Sequence, residues 1–309
     1  MMDVPESSRS VRPPDLEVIV PVHDEPLDVV LETVDGVLAA LAEKHVEVLV
    51  VDDGSRPDLG LTLLEGRSKV RLLRHPLNRG YGSAIKTGIL SGTAPLLAII
   101  DADGTYPPEE LPRLLNALPG HALCIGVRAP GEKSIPWPRR WPKRALNSLA
   151  GYFSGRSIPD LNSGLRVFTR DLAAELWAIL PEGFSLTSSM TLGALLAGHR
   201  VAEVPIAYRQ RRGRSSIKPL RDTVRFAFLI LQLGSMFSPM KLFLPPAAAV
   251  FLLGLGKGLL YDYLLVGRVG MLAATFLLGA LQLFMLGMLG ELIVHERRWS
   301  KRRPPWPGA

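Results

Sequence analysis

Across 309 residues the chain has a single cysteine, Cys124, so no disulfide can form within it and nothing asks for an oxidising compartment. Residues 1–15 are polar and proline-containing, with no apolar core, so no secretory signal is expected there and the stretch reads as a disordered leader. No internal repeat is visible. Acids are also scarce relative to bases, and the net charge is +7. A basic balance can mean nucleic acid. Here the basic residues cluster beside an apolar C-terminal region, which points to a membrane surface and away from nucleic acid.

Hydrophobic residues make up 47% of the chain, and the excess piles up after residue 226. Residues 242–261 are apolar except for Lys257, and residues 269–290 are broken only by Gln282. Each run is long enough to cross a bilayer core. The turn between them holds Asp262 and Arg268, so the two spans form a hairpin. Arg211, Arg212, Arg214, Lys218, Arg221, Arg225 and Lys241 precede it, and Arg297, Arg298, Lys301, Arg302 and Arg303 follow it. That bias keeps both termini cytoplasmic. Lys218, Arg221 and Arg225 recur at helical spacing beside the apolar residues 226–233, as in a helix lying at the membrane interface over 216–241. Gly254 and Gly258 fit a small-xxx-small pattern that could pack the two spans or a second copy of the chain, so a homo-oligomer is possible.

Before residue 216 the pattern changes. Residues 16–22, 46–51, 70–73 and 96–100 read as strands separated by helical stretches at 27–44 and 83–92, which predicts an α/β domain with a mostly parallel sheet. Pro107 and Pro108 open a further helix, residues 123–127 a further strand, residues 130–142 a mobile loop and residues 143–154 another helix. Residues 164–168 read as an edge strand.

The strand at 96–100 ends in Asp101-Ala102-Asp103. Period-two alternation puts both acids on one side of its C-terminal tip, where α/β sheets bind ligands. Paired carboxylates there suit a hard divalent ion that also binds phosphate. One acid capping a turn and one facing solvent would read the same way. Asp52 leaves another strand tip and either accepts hydrogen bonds from a base or forms a turn with Gly54. Asn78, Gly80 and Gly82 let the backbone approach a bound nucleotide, or simply make a turn before a helix.

Val20-Pro21-Val22-His23-Asp24-Glu25, Val51-Asp52-Asp53-Gly54-Ser55, Asn78-Arg79-Gly80-Tyr81-Gly82 and Asp101-Ala102-Asp103 occur in this order, each at or just beyond a strand end. Together they resemble the nucleotide-sugar-binding, GT-A-like domain of the family-two inverting glycosyltransferases. With Pro159-Asp160-Leu161-Asn162-Ser163-Gly164-Leu165-Arg166 and the basic run 212–218, the resemblance narrows to the polyprenyl-phosphate type, which includes the dolichol-phosphate mannose synthases. It implies catalytic roles for Asp103 and Asp160, the latter orienting the acceptor or the ion's surroundings rather than acting as an obligatory base. Pro21, His23, Glu25, Val50, Asp52, Asp101, Ala102, Asp103, Arg128, Arg212 and Lys218 are implied to bind the nucleotide sugar. Asp101 and Asp103 would hold Mg²⁺ or Mn²⁺, and Arg128, Arg144 and Ser148 the acceptor phosphate. His23-Asp24 stands where the family carries Tyr-Asn, and Thr105 where many members carry Gln.

The chain is thus expected to consist of a catalytic domain at 16–215, an interfacial helix at 216–241, a transmembrane hairpin at 242–294 and a basic cytoplasmic tail at 295–309. It would move a sugar from a UDP- or GDP-sugar to polyprenyl phosphate with inversion. A phosphate acceptor is already anionic near neutral pH, because its second pKa is about 6, so it needs positive charge rather than a general base. Alternatives are a processive polysaccharide synthase, whose usual Gln-x-x-Arg-Trp is matched only as far as Gln210-Arg211-Arg212-Gly213, and a non-catalytic membrane scaffold.

Overall fold

The computed structural model describes residues 13–56, 59–128, 146, 148–156, 160–209, 219–268 and 270–301. The chain divides into two units: Met1–Ser134 with Pro159–Ser216, and Ile135–Ile158 with Ile217–Ala309.

The first unit is built on a seven-stranded sheet of β1 (Leu16–Val22), β2 (Val46–Asp52), β3 (Val70–Arg74), β4 (Leu96–Ile99), β5 (Leu123–Arg128), β6 (Arg166–Thr169) and β7 (Val201–Ile206). Their order across the sheet is β3-β2-β1-β4-β6-β5-β7. All neighbours run parallel except β6, which is antiparallel to both β4 and β5. The edge strand expected at residues 164–168 is therefore an interior strand, and it spans Arg166–Thr169. Arg166 gives the segment its polar look, yet it is fully buried and donates to the carbonyls of Ser163 and Thr187.

Strands buried on both faces read as continuous apolar runs, and β1 (LEVIVPV) is buried at every position. Val18, Val20 and Val22 share one core layer with Val30, Val34 and Val37 of α1 (Leu27–Ala40) and Leu111 and Leu114 of α3 (Leu111–Ala117). On the other face Ile19 meets α2 (Tyr81–Ser91) so closely that a Cβ on Gly88 would lie 2.7 Å from its Cγ2. The lone Cys124 sits in the core, where burial pushes its thiol up to about 12. Two further helices, α4 (Arg170–Leu176) and α5 (Leu186–Leu196), complete the layer on that side.

Glu17 is the one acid within β1, and the end of the sheet opposite Asp101 satisfies it. Its carboxylate accepts from the amides of Thr93 and Ala94 and pairs with Arg170 at 2.9 Å. Arg170 also donates to the carbonyls of Ala94 and Ile89. A buried charge persists only when paired and hydrogen-bonded in this way.

In the second unit, α6 (Pro219–Phe237) ends at Ser238 and α7 (Pro239–Gly256) continues as a π-helical stretch, Lys257–Val266. After a turn comes α8 (Met271–Lys301). α7 and α8 pack antiparallel. A Cβ on Gly254 would lie 2.9 Å from Phe276 and one on Gly290 2.6 Å from Pro239. Gly258 faces Ala273, so the small-residue pattern packs one span against the other. Near the turn, Lys257 pairs with Asp262, whose second oxygen accepts from the Gly270 amide at 3.0 Å. Pro239–Leu264 and Met271–Glu296 are long and apolar enough to cross a membrane, and 17% of each apolar window is buried inside the protein. Leu252, Leu260, Leu278 and Leu292 point outward, more than half exposed. Such an unburied apolar surface belongs in lipid.

Candidate active site

The parallel strands β1, β2 and β4 deliver their C-terminal ends to one edge of the sheet, while antiparallel β6 brings its N-terminal end there. Val22 lies opposite Asp52, and Ile99 opposite Arg166. This arrangement gathers the four motifs and the 160–165 loop on a single rim.

At the β2 end, one oxygen of Asp52 accepts from the Ser55 amide at 2.8 Å and the other lies 4.0 Å from Arg74 Nε. Asp52 therefore forms the turn while remaining on the rim. Its neighbour Asp53, pointed the other way, is the clamp. It accepts from the amides of Arg79 at 2.9 Å and Gly80 at 2.7 Å and pairs with His75 Nδ1 at 2.7 Å. Burial pushes this carboxyl up, but the His75 contact and the two amides outweigh it and hold it below the ordinary value. The sequence reading missed Asp53.

The 78–82 loop held by Asp53 shows why it carries glycines. A Cβ on Gly82 would lie 2.3 Å from the Pro181 carbonyl oxygen, and one on Gly80 2.8 Å from that of Glu182. Ser83 donates its amide to the Glu182 carbonyl at 2.9 Å. A close approach of the 78–82 loop is thus to the backbone of residues 181–182. Gly80 also has φ +104°, a conformation that favours glycine. Asn78 reaches His23, amide to imidazole, at 2.7 Å. Glu25 is partly exposed, whereas Pro21, Val50 and Ala102 are buried in the strands and at the strand end.

Asp101 and Asp103 leave β4 on the same rim. Tyr81 donates its hydroxyl to Asp101 Oδ1 at 2.7 Å. Burial and the Asp101 carboxylate push the Tyr81 phenol well above its ordinary value, so it stays a donor. Asp103 accepts at Oδ1 from the Thr105 amide at 3.1 Å and hydroxyl at 2.6 Å. Thr105 therefore orients Asp103 and is fully buried beneath it. Among the described residues no group of three His, Cys, Asp or Glu gathers. Two carboxylates nonetheless fit a hard divalent ion that completes its shell from water and phosphate oxygens.

Across the rim, Arg128 at the end of β5 forms a two-pronged ion pair with Asp160, Nε to Oδ2 and Nη2 to Oδ1, both at 2.7 Å. Burial works against the guanidinium, but Asp160 and the nearby Tyr106 and Tyr208 raise it above its ordinary value. The Tyr208 ring lies 5.2 Å from the guanidinium carbon, and Tyr106 meets Tyr208 edge-on. Ser148 is exposed within the helical stretch 148–154 of the second unit. Arg144, Arg212, Lys218 and the expected 130–142 loop lie outside the described residues.

A sheet of this order with an acidic pair at the end of β4 defines a GT-A-like sugar-transferase domain. Residues 17–177 match Glycosyl transferase family 2 and residues 238–295 match the GtrB C-terminal hairpin. The chain belongs to glycosyl transferase family 2, is a glycosyltransferase, and is a membrane protein. A polyprenol monophosphomannose synthase of Mycolicibacterium smegmatis is 32% identical over 220 residues, covering 67% of this chain and 82% of that protein. An undecaprenyl-phosphate 4-deoxy-4-formamido-L-arabinose transferase of Klebsiella pneumoniae is 29% identical over 312 residues, covering 94% of this chain and 91% of that one. The fold is shared with glucosyl-3-phosphoglycerate synthase from Mycobacterium tuberculosis in complex with Mn²⁺, UDP and phosphoglyceric acid. There the TM-score is 0.54 at 19% identity, over 72% of this chain and 78% of that one.

Proposed function

We propose that the protein transfers one sugar from a UDP- or GDP-sugar to polyprenyl phosphate, with inversion, at the cytoplasmic face of a membrane. The observation that carries this reading is the Arg128–Asp160 pair. A hydroxyl acceptor would need a carboxylate poised as base, yet both oxygens of Asp160 are engaged by Arg128. A phosphate acceptor is already anionic and needs a cation, which Arg128 supplies. The named activities of the mycobacterial and Klebsiella relatives support the same acceptor, as does the hairpin, which would keep the enzyme beside a lipid substrate.

In this reading Glu25, Pro21 and Asp52 receive the base and ribose, and His23, Val50 and Ala102 also bind the nucleotide sugar. Asp101 and Asp103 hold Mg²⁺ or Mn²⁺, which when bound offsets the charge of the departing diphosphate. Arg128 presents the acceptor phosphate to the anomeric carbon from the side opposite the diphosphate. One phosphate oxygen forms the new bond as the old carbon–oxygen bond breaks, and no proton has to be removed. Asp160 fixes Arg128 in that pose. Arg144 and Ser148, proposed from the sequence pattern, also serve the acceptor phosphate. Arg212 and Lys218 serve the donor.

The test is to incubate the purified full-length chain with undecaprenyl phosphate and a panel of UDP- and GDP-sugars, then weigh the lipid. A product heavier by one sugar is expected. A ladder of longer products would establish a polymerase, and no product from any donor would favour a scaffold.

A further inference from the structure

Asp101 is oriented by two other parts of the fold. Tyr81, the first residue of α2, donates its hydroxyl to Oδ1 at 2.7 Å. Oδ2 occupies the place of a side chain at Gly164, since a Cβ there would lie 2.0 Å from it. Gly164 is itself pinned, donating its amide to the Tyr106 hydroxyl at 2.8 Å. A carboxylate at a strand end can rotate about two bonds, and here one hydroxyl and one glycine gap select a single pose.

Tyr81 follows the two residues whose amides bind Asp53. A direct line of contacts thus runs from Asp53, next to Asp52 at the nucleotide end, through the 79–80 backbone to Tyr81 and on to Asp101. Groups that hydrogen-bond a metal-binding side chain tune its grip on the ion, typically by 10–100-fold.

We propose that Tyr81 is a positioning residue that couples order at the nucleotide end of the site to the grip of Asp101 on a divalent cation. The proposal rests on the donor and ion reading above. Tyr81→Phe tests it, because it keeps the ring and its 5.9 Å contact with Phe184 and removes only the hydroxyl.

The measurement is calorimetric titration of the full-length protein in detergent, with Mn²⁺ in the presence of UDP and with UDP in the presence of chelator. Tyr81→Phe should weaken Mn²⁺ binding by about tenfold or more while leaving metal-free UDP affinity and the unfolding midpoint at wild-type values. Gly164→Ala, which crowds Asp101 from its other side, should show the same metal-selective loss. Wild-type Mn²⁺ affinity in either variant overturns the positioning role and leaves the donor reading standing. Equal losses with and without metal also overturn it, since Tyr81 would then only support the loop. If the wild type binds UDP equally well in Mn²⁺ and in chelator, the ion reading falls and takes this proposal with it.

Discussion

Arg128 donates two hydrogen bonds, each 2.7 Å long, to the two carboxylate oxygens of Asp160, so the two residues act as one unit. Residues joined in this way show coupling of about 0.5–3 kcal/mol. The losses in acceptor kcat/KM from Arg128→Ala and Asp160→Ala should accordingly overlap, with the double variant little worse than Arg128→Ala. Losses that multiply would give Asp160 a separate role, such as a base.

Asp103→Asn should abolish transfer while the protein stays folded and membrane-bound, and excess chelator should do the same to the wild type. Thr105→Val, which deletes the 2.6 Å donor to Asp103 but keeps the amide, should cost about tenfold in activation by metal. Full turnover by Asp103→Asn would remove the ion from this carboxylate pair.

Gly82→Ala places a methyl group 2.3 Å from the Pro181 carbonyl oxygen, and backbone cannot swing aside as a side chain can. Overpacking of this kind costs about 1–3 kcal/mol, read as a lowered unfolding midpoint together with reduced activity. Gly183→Ala is the control. Nothing lies within 4 Å of its Cβ position, and the midpoint should stay put.

The Asp53 carboxyl titrates below its ordinary value of 3.8 because of His75 and the amides of Arg79 and Gly80. A depressed folded-state value means that the stabilisation is present in full above the unfolded value and is lost as pH falls through the folded one. The gap in unfolding midpoint between wild type and Asp53→Asn should therefore be present above pH 3.8 and close as pH falls below it. A gap that persists in acid would mean that shape, not charge, holds the 78–82 loop.

A reporter fused after Ala309 should be active on the cytoplasmic side, given twelve positive residues flanking the hairpin against Arg268 alone in its turn. Activity only on the outer side would overturn the topology.

Strands β1, β2 and β4 were legible because burial on both faces leaves mostly apolar runs, broken only by Glu17 and Glu47, and the acids at or just beyond their ends marked the rim. The two candidate spans were legible from their length and apolar composition. What escaped depended on partners distant in sequence. The interior place of β6 escaped because nothing nearby shows that the Thr187 carbonyl would receive the Arg166 guanidinium. Helix α5, LTSSMTLGALL, is buried on nearly every side and so lacks the polar stripe by which a helix is recognised. The glycines at 80 and 82 announced a close approach without saying to what, and residues 181–182 lie a hundred positions away. Tyr81 carried no signal because its value lies in Asp101, which only the fold brings within reach.

The antiparallel insertion of β6 also sets the order in which the sheet can close during synthesis. β3, β2, β1 and β4 adjoin one another and are complete once Ile99 has been made. β5 follows at Leu123–Arg128, but both of its neighbours, β6 and β7, come later in the chain. It must wait unpaired while the intervening segment emerges. Unpaired strands of this kind are the aggregation-prone moment in the folding of a long chain. The ribosome would thus release a half-sheet whose exposed β4 edge is capped only when Arg166–Thr169 slots in beside it.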